Sequence, residues 1–254
     1  MISFDSVSKS FGDRKILSNI SFEIKSGEKL FLLGRSGIGK SVTLKLLVGI
    51  LNPDAGKIQI DKNILPTTDE GVLAQVRRNC SLVFQLPTLI DSRSLFDNAC
   101  LGIRGLSLKD RIQKVSAALE EVGLGHLTEN SSNIFPPHLS YGEQKRVSLA
   151  RTLAVDPAYI LYDEPTTGMD PQTARMIHKL ISKIGNRKTS LVVSHDMRNA
   201  LETADRIILI DGGEIQDSGT PSELLKSRHP LTREFLKGVQ IGPHHTPHKG
   251  PQDV

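Results

Sequence analysis

The sequence feature that most constrains the fold is the segment Gly34-Arg35-Ser36-Gly37-Ile38-Gly39-Lys40-Ser41. It follows a short apolar run at 29–33 and precedes a helical pattern at 42–49, which predicts a turn between a buried strand and a helix. Glycines let successive backbone N–H groups point at phosphate oxygens, and the helix directs its positive end to the same place. A chance glycine-rich turn is the alternative, but such a match arises in on the order of one per cent of chains of this length. The segment therefore predicts a phosphate-binding loop.

Within this loop, two side chains carry the expected chemistry. Lys40 supplies a mobile positive charge for the β- and γ-phosphates of a nucleotide, and the Ser41 hydroxyl is expected to ligate Mg²⁺. Arg35 also lies inside the loop, and we expect its side chain to point to solvent.

A second motif places two carboxylates after an apolar strand at 159–162. Ligands of open α/β sheets bind at the carboxyl ends of the strands, where Asp163 and Glu164 would stand. Asp163 is expected to hold Mg²⁺ directly or through water, and Glu164 to orient and deprotonate the attacking water. An acidic pair after a strand is usually a helix cap or part of a loop, but the phosphate loop upstream favours the catalytic interpretation.

The chain alternates short β-rich segments with helical patterns, which predicts an α/β fold with a mostly parallel central sheet. Helices are expected at 108–122 and from Asp170, which would cap a helix that begins with Pro171. Residues 86–150 interrupt the alternation and are interpreted as a mostly helical subdomain inserted in the core. From Gly238 onward periodicity ends and three prolines follow, a composition typical of disorder.

Composition excludes several classes of protein. No apolar run approaches the roughly 18 residues of a membrane helix, and the N-terminus lacks the pattern of a secretion signal. Cys80 and Cys100 are therefore expected to be reduced, and to be buried as small apolar residues. The net charge is +4, but most of it falls within residues 226–254, and there is no basic stripe and no Trp. No nucleic-acid partner is predicted.

Through these motifs, residues 1–225 resemble the ATP-binding subunit of an ABC transporter. The resemblance implies a P-loop NTPase core with a RecA-like mostly parallel sheet, an antiparallel β subdomain and an inserted helical subdomain at 86–150. Residues 226–254 would form a C-terminal extension. Three further positions match the family's motifs: Phe11 the aromatic that stacks on adenine, Gln85 the Q-loop glutamine, and His195 the switch histidine that contacts the γ-phosphate.

The family's signature motif matches Leu139-Ser140-Tyr141-Gly142-Glu143-Gln144, with Tyr141 and Glu143 departing from the usual Leu-Ser-Gly-Gly-Gln. The resemblance implies that Ser140 and Gly142 approach the γ-phosphate of ATP held by an opposite subunit. Glu143 adds a negative charge close to that anion, which we expect to modify the rate or affinity. Arg146 is expected to offset this charge across one helical turn.

The resemblance implies a set of site residues. Catalytic residues would be Glu164, His195 and Gln85, and Mg²⁺ would be held by Ser41, Gln85 and Asp163. ATP would be contacted by Phe11, Gly34, Arg35, Ser36, Gly37, Ile38, Gly39, Lys40, Ser41, Val42, Ser140, Gly142 and Asp170. Asp170 belongs to the D-loop, Gly168-Met169-Asp170.

The same resemblance implies partners and a place in the cell. Two copies, or this chain and a homologous ATPase, would enclose ATP and Mg²⁺ between them, while an integral membrane permease supplies the path. The subunit would then sit peripherally on the cytoplasmic face of the inner membrane.

The transported substrate is suggested by three local features, which resemble the ATPase of Mce/Mla-type phospholipid transporters. They are Val42 after the loop serine, Leu95-Phe96-Asp97-Asn98, and the run at 162–171. An Mce-type substrate-binding protein would then act through the permease. Importers of small polar solutes share parts of these features and are an alternative. A soluble ABC ATPase of an assembly complex is a second alternative. A nucleotide-binding module with negligible turnover is a third alternative, but the presence of Glu164 and His195 argues against this one.

The C-terminal segment carries one further hypothesis. From Lys226 the chain could reach over a second subunit, because Leu231, Phe235, Leu236 and Val239 offer an apolar face beyond the family core. Three histidines near the end, His244, His245 and His248, are interpreted as part of a solvated tail rather than as metal ligands.

Overall fold

The computed structural model describes residues 1–239, which form ten strands and nine helices. The strands are β1 (Ile2–Phe11), β2 (Arg14–Ile24), β3 (Lys29–Leu33), β4 (Ala55–Ile60), β5 (Asn63–Leu65), β6 (Cys80–Val83), β7 (Tyr159–Asp163), β8 (Thr189–Ser194), β9 (Arg206–Asp211) and β10 (Glu214–Gly219). The helices are α1 (Lys40–Leu47), α2 (Glu70–Asn79), α3 (Leu95–Cys100), α4 (Leu108–Glu121), α5 (Tyr141–Val155), α6 (Pro171–Gly185), α7 (Met197–Thr203), α8 (Pro221–Lys226) and α9 (Pro230–Lys237).

The first sheet is four-stranded and antiparallel, with the order β2-β1-β4-β5. Ile2 and Phe4 of β1 point into a core, and Val7 points into the same core after an irregularity in the pairing with β2. Phe4 stacks on Phe22 of the neighbouring strand, with ring centroids 4.5 Å apart. This sheet is the antiparallel part that the resemblance implied.

The second sheet has the order β10-β9-β3-β8-β7-β6, and every neighbouring pair is parallel except β9 and β10. The mostly parallel sheet predicted from the sequence is confirmed. Strands β3, β7 and β8 are buried along almost their whole length because both of their faces are covered. Their carboxyl ends lie at one edge and lead into the phosphate loop, Glu164 and His195, while β6 at the same edge leads to Gln85.

Between β6 and β7 the described elements are helices α3, α4 and α5 with two short 3₁₀ turns. Helix α5 continues five residues beyond 150, because Leu153 and Ala154 still pack against the core. Each helix begins at a serine whose hydroxyl accepts a backbone N–H, namely Ser94, Ser107 and Ser140. The division into a subdomain at 86–150 and an extension from 226 stays a prediction.

The C-terminal helix α9 packs on its own chain. Leu231 is only 9% exposed, and Phe235, Leu236 and Val239 pack against the main core. Thr232 is fully buried and donates a hydrogen bond to Asp217. Within residues 226–239 the apolar face therefore packs at least in part on its own chain, and the expectation that the segment reaches over a second subunit stays a prediction.

The predicted disordered end and its three histidines lie outside the described residues. Within residues 1–239, no helix combines the length and the hydrophobicity that crossing a bilayer requires.

Candidate functional site

The predicted phosphate loop joins β3 to α1, and two glycines shape it. Gly39 precedes α1 with φ of +108°, and a Cβ there would lie 2.6 Å from the Ile16 side chain. A Cβ on Gly34 would lie 2.6 Å from the carbonyl oxygen of Ile210. The loop therefore packs too closely on β2 and β9 to accept side chains at these positions. Helix α1 begins beside the loop, so its first N–H groups, which lack partners inside the helix, are near it.

Lys40 is buried at the start of α1, with 5% of its surface exposed. Its Nζ donates to the carbonyl oxygens of Gly34 and Arg35, at 2.8 and 3.0 Å. The Glu164 carboxylate lies 3.2 Å from the same nitrogen. These contacts hold a positive charge inside the curl of the loop, where phosphate oxygens are expected to bind.

The Ser41 hydroxyl donates a 2.7 Å hydrogen bond to Oδ1 of Asp163, at the end of β7. Burial raises the pKa of Asp163 above its usual value, and the neighbouring Glu164 charge adds to this, while the bond from Ser41 opposes it. A bound cation would relieve both unfavourable effects. Hydroxyl and carboxylate oxygens are ligands that Mg²⁺ prefers, so this pair fits the ion that the resemblance implies.

Glu164 follows Asp163 with a positive φ of 43°, a conformation that non-glycine residues rarely adopt. Its backbone N–H donates to the Val193 carbonyl of β8 at 3.0 Å, which holds the strained turn in place. Its Oε2 lies 2.9 Å from Nδ1 of His195, which follows β8. The turn thus brings a carboxylate and an imidazole together at the end of two neighbouring strands.

Lys40, Ser41, Glu164 and His195 line one cleft of about 380 Å³. The cleft contains the expected residues Ser36, Gly37, Gly39, Lys40, Ser41, Val42, Gln85, Glu164 and His195. It also contains Arg14, Ile16 and Thr167, which the sequence reasoning missed. Arg14 donates to the Gly37 carbonyl, but nothing in its local sequence distinguishes it from an ordinary exposed arginine of a hairpin.

Besides Ser140, Gly142 and Asp170, four expected nucleotide contacts lie outside this lining, namely Phe11, Gly34, Arg35 and Ile38, and so does the expected metal ligand Asp163. Phe11 is 49% exposed at the end of β1, with Lys9 Nζ 5.5 Å from its ring centroid. Ile38 packs against the core. The Arg35 side chain is largely exposed, as expected, but it also forms a 2.5 Å ion pair with Glu234 of α9.

Gln85 is exposed, and its backbone carbonyl accepts a 2.7 Å hydrogen bond from Lys145 of α5. The Lys145 side chain is fully buried. Burial lowers the pKa of its amine to about 8, opposed by the negative charge of Asp163. The sequence reasoning missed this contact.

Ser140, Gly142 and Asp170 line a second cleft of about 300 Å³, between the start of α5 and the start of α6. Asp170 caps α6 by accepting from the backbone N–H groups of Gln172 and Thr173, as the sequence predicts. Tyr141 also lines this cleft, with 38% of its surface exposed. The second cleft shares no lining residue with the first.

Glu143 closes a capping box at the start of α5. Its Oε2 accepts from the Ser140 hydroxyl at 2.7 Å and from the Ser140 backbone N–H at 2.9 Å, and these bonds lower the pKa of Glu143. Arg146 does not pair with Glu143; its guanidinium donates to the Gly123 carbonyl at 3.1 Å. The Arg146 charge also lowers the pKa of Glu143, but less than the Ser140 hydrogen bonds do, and the carboxylate keeps its negative charge.

A glycine loop that leads into a helix, a Ser/Asp pair and a Glu/His pair meet at the carboxyl ends of parallel strands. This combination defines a P-loop protein that binds a nucleoside triphosphate. The comparisons with known proteins agree. Residues 17–167 match the family described as ABC transporter.

Similar curated proteins share the whole domain. The sulfate/thiosulfate import ATP-binding protein CysA of Yersinia pestis is 36% identical, over 100% of this chain and 75% of that protein. The methionine import ATP-binding protein MetN of Clostridium tetani is 37% identical, over 96% of this chain and 76% of that protein.

Solved structures are similar as well. CbiO1 of Clostridium perfringens, part of the ABC transporter complex cbiONQ, has a TM-score of 0.80 and 25% identity over 94% of this chain and 95% of that chain. A dimeric post-hydrolysis state of the ATP-binding cassette MJ0796, bound to ADP and Pi, has a TM-score of 0.76 and 31% identity over 87% of this chain and 99% of that chain. The chain belongs to the ABC transporter family, and it is an ATPase that uses ATP with Mg²⁺.

Proposed function

We propose that this chain is the ATP-hydrolysing motor subunit of a membrane importer for a small polar solute. The observation that carries the proposal is the single cleft lined by Lys40, Ser41 and the Glu164–His195 pair, with Asp163 hydrogen-bonded to Ser41 behind it. The solute is inferred from relatives whose names refer to import of sulfate, thiosulfate or methionine. They favour the importer alternative over the Mce/Mla-type phospholipid transporter suggested by local sequence features.

Each side chain in the cleft then has a role in hydrolysis. Lys40 and the loop N–H groups would bind the β- and γ-phosphates, and Glu164 would accept a proton from the attacking water. His195 would hold the Glu164 carboxylate through its Nδ1 and contact the γ-phosphate, while Gln85 would orient water or metal. Mg²⁺ held by Ser41 and Asp163 would neutralise charge that develops on the phosphates.

The two separate clefts support a site completed by a second copy. One chain carries the phosphate loop in one cleft and Ser140 and Gly142 in another, and both clefts are open to solvent. Two copies related by a two-fold axis would match each loop with the partner's signature, which gives two identical composite sites. Loss of the γ-phosphate would remove the charge that holds the halves together.

The opening and closing of the two copies in that cycle would move an integral membrane permease. The helices between β6 and β7, in the predicted subdomain at 86–150, and the segment around Gln85 would form the contact with it. In this arrangement the 1–225 domain would lie peripherally against the permease, on the cytoplasmic face of the inner membrane.

The test of turnover compares phosphate release by wild type, Glu164→Gln and Glu129→Gln, each with its co-purified partners. Glu129 is an exposed carboxylate outside both clefts and serves as the control. Glu164→Gln is expected to slow release by about a hundredfold or more, because it removes the base. Equal rates for wild type and Glu164→Gln would refute the assignment.

The test of substrate uses the co-purified permease in proteoliposomes. Stimulation of ATP hydrolysis by sulfate, thiosulfate or an amino acid is expected, and net uptake should accompany it. Stimulation by phospholipid alone would support the phospholipid transporter instead. Purely soluble co-purifying partners would support the assembly-complex alternative.

A further inference from the structure

Lys145 is a buried cation that lies outside both clefts. Its Nζ donates to the carbonyl oxygens of Phe84 and Gln85, at 2.5 and 2.7 Å, and no part of its surface is exposed. Burying an ammonium group is costly unless its hydrogen bonds are satisfied, and an apolar side chain would fill the same space at a smaller desolvation cost. Packing alone therefore does not explain a lysine at this position.

A second cation of α5 holds the same segment of chain. Arg151 donates to the Thr88 carbonyl at 2.9 Å and to the Thr88 hydroxyl at 3.0 Å. Residues 84–88 have no regular secondary structure, so hydrogen bonds from these side chains satisfy carbonyl oxygens that a helix or sheet would otherwise satisfy. The segment is thus fixed to one helix at both of its ends.

The same helix begins at the signature residue Ser140, which caps it. Lys145 follows Ser140 by about one and a half helical turns, so the two move as one rigid unit. Gln85 lines the phosphate-loop cleft, whereas Ser140 lines the second cleft. The Lys145 hydrogen bonds are therefore a direct mechanical connection between the two clefts of one chain.

We propose that Lys145 is a positioning residue that couples Gln85 in one composite ATP site to Ser140 in the other. This inference rests on the proposed function, in which both residues approach a γ-phosphate. When α5 shifts to place Ser140 on the partner's nucleotide, Lys145 carries the Phe84–Gln85 backbone with it. Gln85 then takes its place beside the chain's own nucleotide, so the two sites close together.

The experiment compares wild type with Lys145→Met, Lys145→Gln and Lys109→Met, each as the full chain with its co-purified permease. Methionine has a similar length but cannot donate, glutamine keeps a donor, and Lys109 is an exposed lysine of α4 that serves as the control. Lys145→Met is expected to lower kcat by about tenfold or more, the usual effect of losing a group that orients a contact residue. The KM for ATP should change by less than about twofold, because Lys145 does not touch the nucleotide.

Two more readouts separate positioning from a general loss of stability. Amide hydrogen exchange in residues 84–90 should quicken in Lys145→Met while exchange in β3 and β7 stays unchanged. Lys145→Gln should recover part of the lost kcat, and it keeps the proposal testable if the methionine variant does not fold.

The inference is overturned if folded Lys145→Met, or Lys145→Gln where methionine does not fold, keeps wild-type kcat and wild-type exchange in residues 84–90. It is also overturned if exchange quickens equally across the whole chain. An inactive wild type would instead count against the proposed function, so the two failures are distinguishable.

Discussion

Glu143 holds the Ser140 hydroxyl in the isolated chain, and replacing it with glutamine is expected to strengthen ATP-driven pairing of two copies. The hydroxyl now donates to the carboxylate at 2.7 Å, so Ser140 must release this bond before it can donate to a phosphate. Glutamine can still close the capping box, because a neutral amide oxygen also accepts from the backbone. The substitution therefore removes the charge and keeps the helix start.

The magnitude follows from the geometry. Since each O–H···O contact is about 2.7 Å long, a phosphate oxygen bound by Ser140 would lie within about 5–6 Å of the Glu143 carboxylate. Repulsion between unit charges at that distance is between about 0.7 kcal/mol in water and about 3 kcal/mol at a protein surface. Glu143→Gln should then tighten each composite site by about threefold to about a hundredfold, and pairing, which closes two such sites, by about tenfold or more, most strongly at low salt.

The assay is sedimentation of the chain at increasing ATP concentration, in a Glu164→Gln background that preserves the nucleotide. Glu223→Gln is the matched control, because Glu223 closes the same kind of capping box with Thr220 at the start of α8, away from both clefts. If Glu143→Gln and Glu223→Gln pair with the same ATP dependence as the unmodified background, repulsion at the signature is refuted.

Two further substitutions and one alkylation experiment test the packing. Gly34→Ala should destabilise the fold by about 1–3 kcal/mol, because its Cβ meets the Ile210 carbonyl, and an unchanged Tm would refute the close approach. Leu231→Ala should cost about 2–5 kcal/mol in urea unfolding of the isolated chain, whereas a tail docked on a partner would show no loss. Burial raises the pKa of Cys80 to about 12, so on the order of one thiol in ten thousand is ionised at pH 8. Alkylation should therefore be slow in folded protein and fast in urea, and equal rates would contradict the burial.

The parallel sheet was predictable because its strands carry local signals. Buried central strands appear as short apolar runs, and the runs at 29–33 and 159–162 fall within one residue of β3 and β7. The antiparallel sheet was expected only through the family resemblance. Strands β4 and β5 are short and partly exposed; β4 is held by pairing with β1, which is distant in sequence, and β5 pairs with β4. Periodicity within one segment cannot show such pairing.

Some features of the site were likewise predictable from local sequence signals, and others were not. Lys40, Ser41, Asp163 and Glu164 were found because each stands at a fixed spacing from a strand end that the sequence marks. The surface on which helix α9 packs was not predicted, because an amphipathic face indicates burial but does not show which surface covers it. In the described chain that surface is the protein's own core, and the Arg35–Glu234 ion pair joins α9 to the phosphate loop.

The contact of Lys145 illustrates why the remaining features escape sequence reasoning. A lysine in the middle of a helix is ordinarily solvated, and nothing within α5 distinguishes Lys145 from an exposed residue. Its role depends on carbonyl oxygens about sixty residues earlier in the chain, in a segment without regular structure. Every residue type has a backbone carbonyl, so no side-chain pattern at Phe84 or Gln85 could have predicted the hydrogen bond. Only the fold, which brings the carboxyl end of β6 beneath α5, makes the cation a connection between the two clefts.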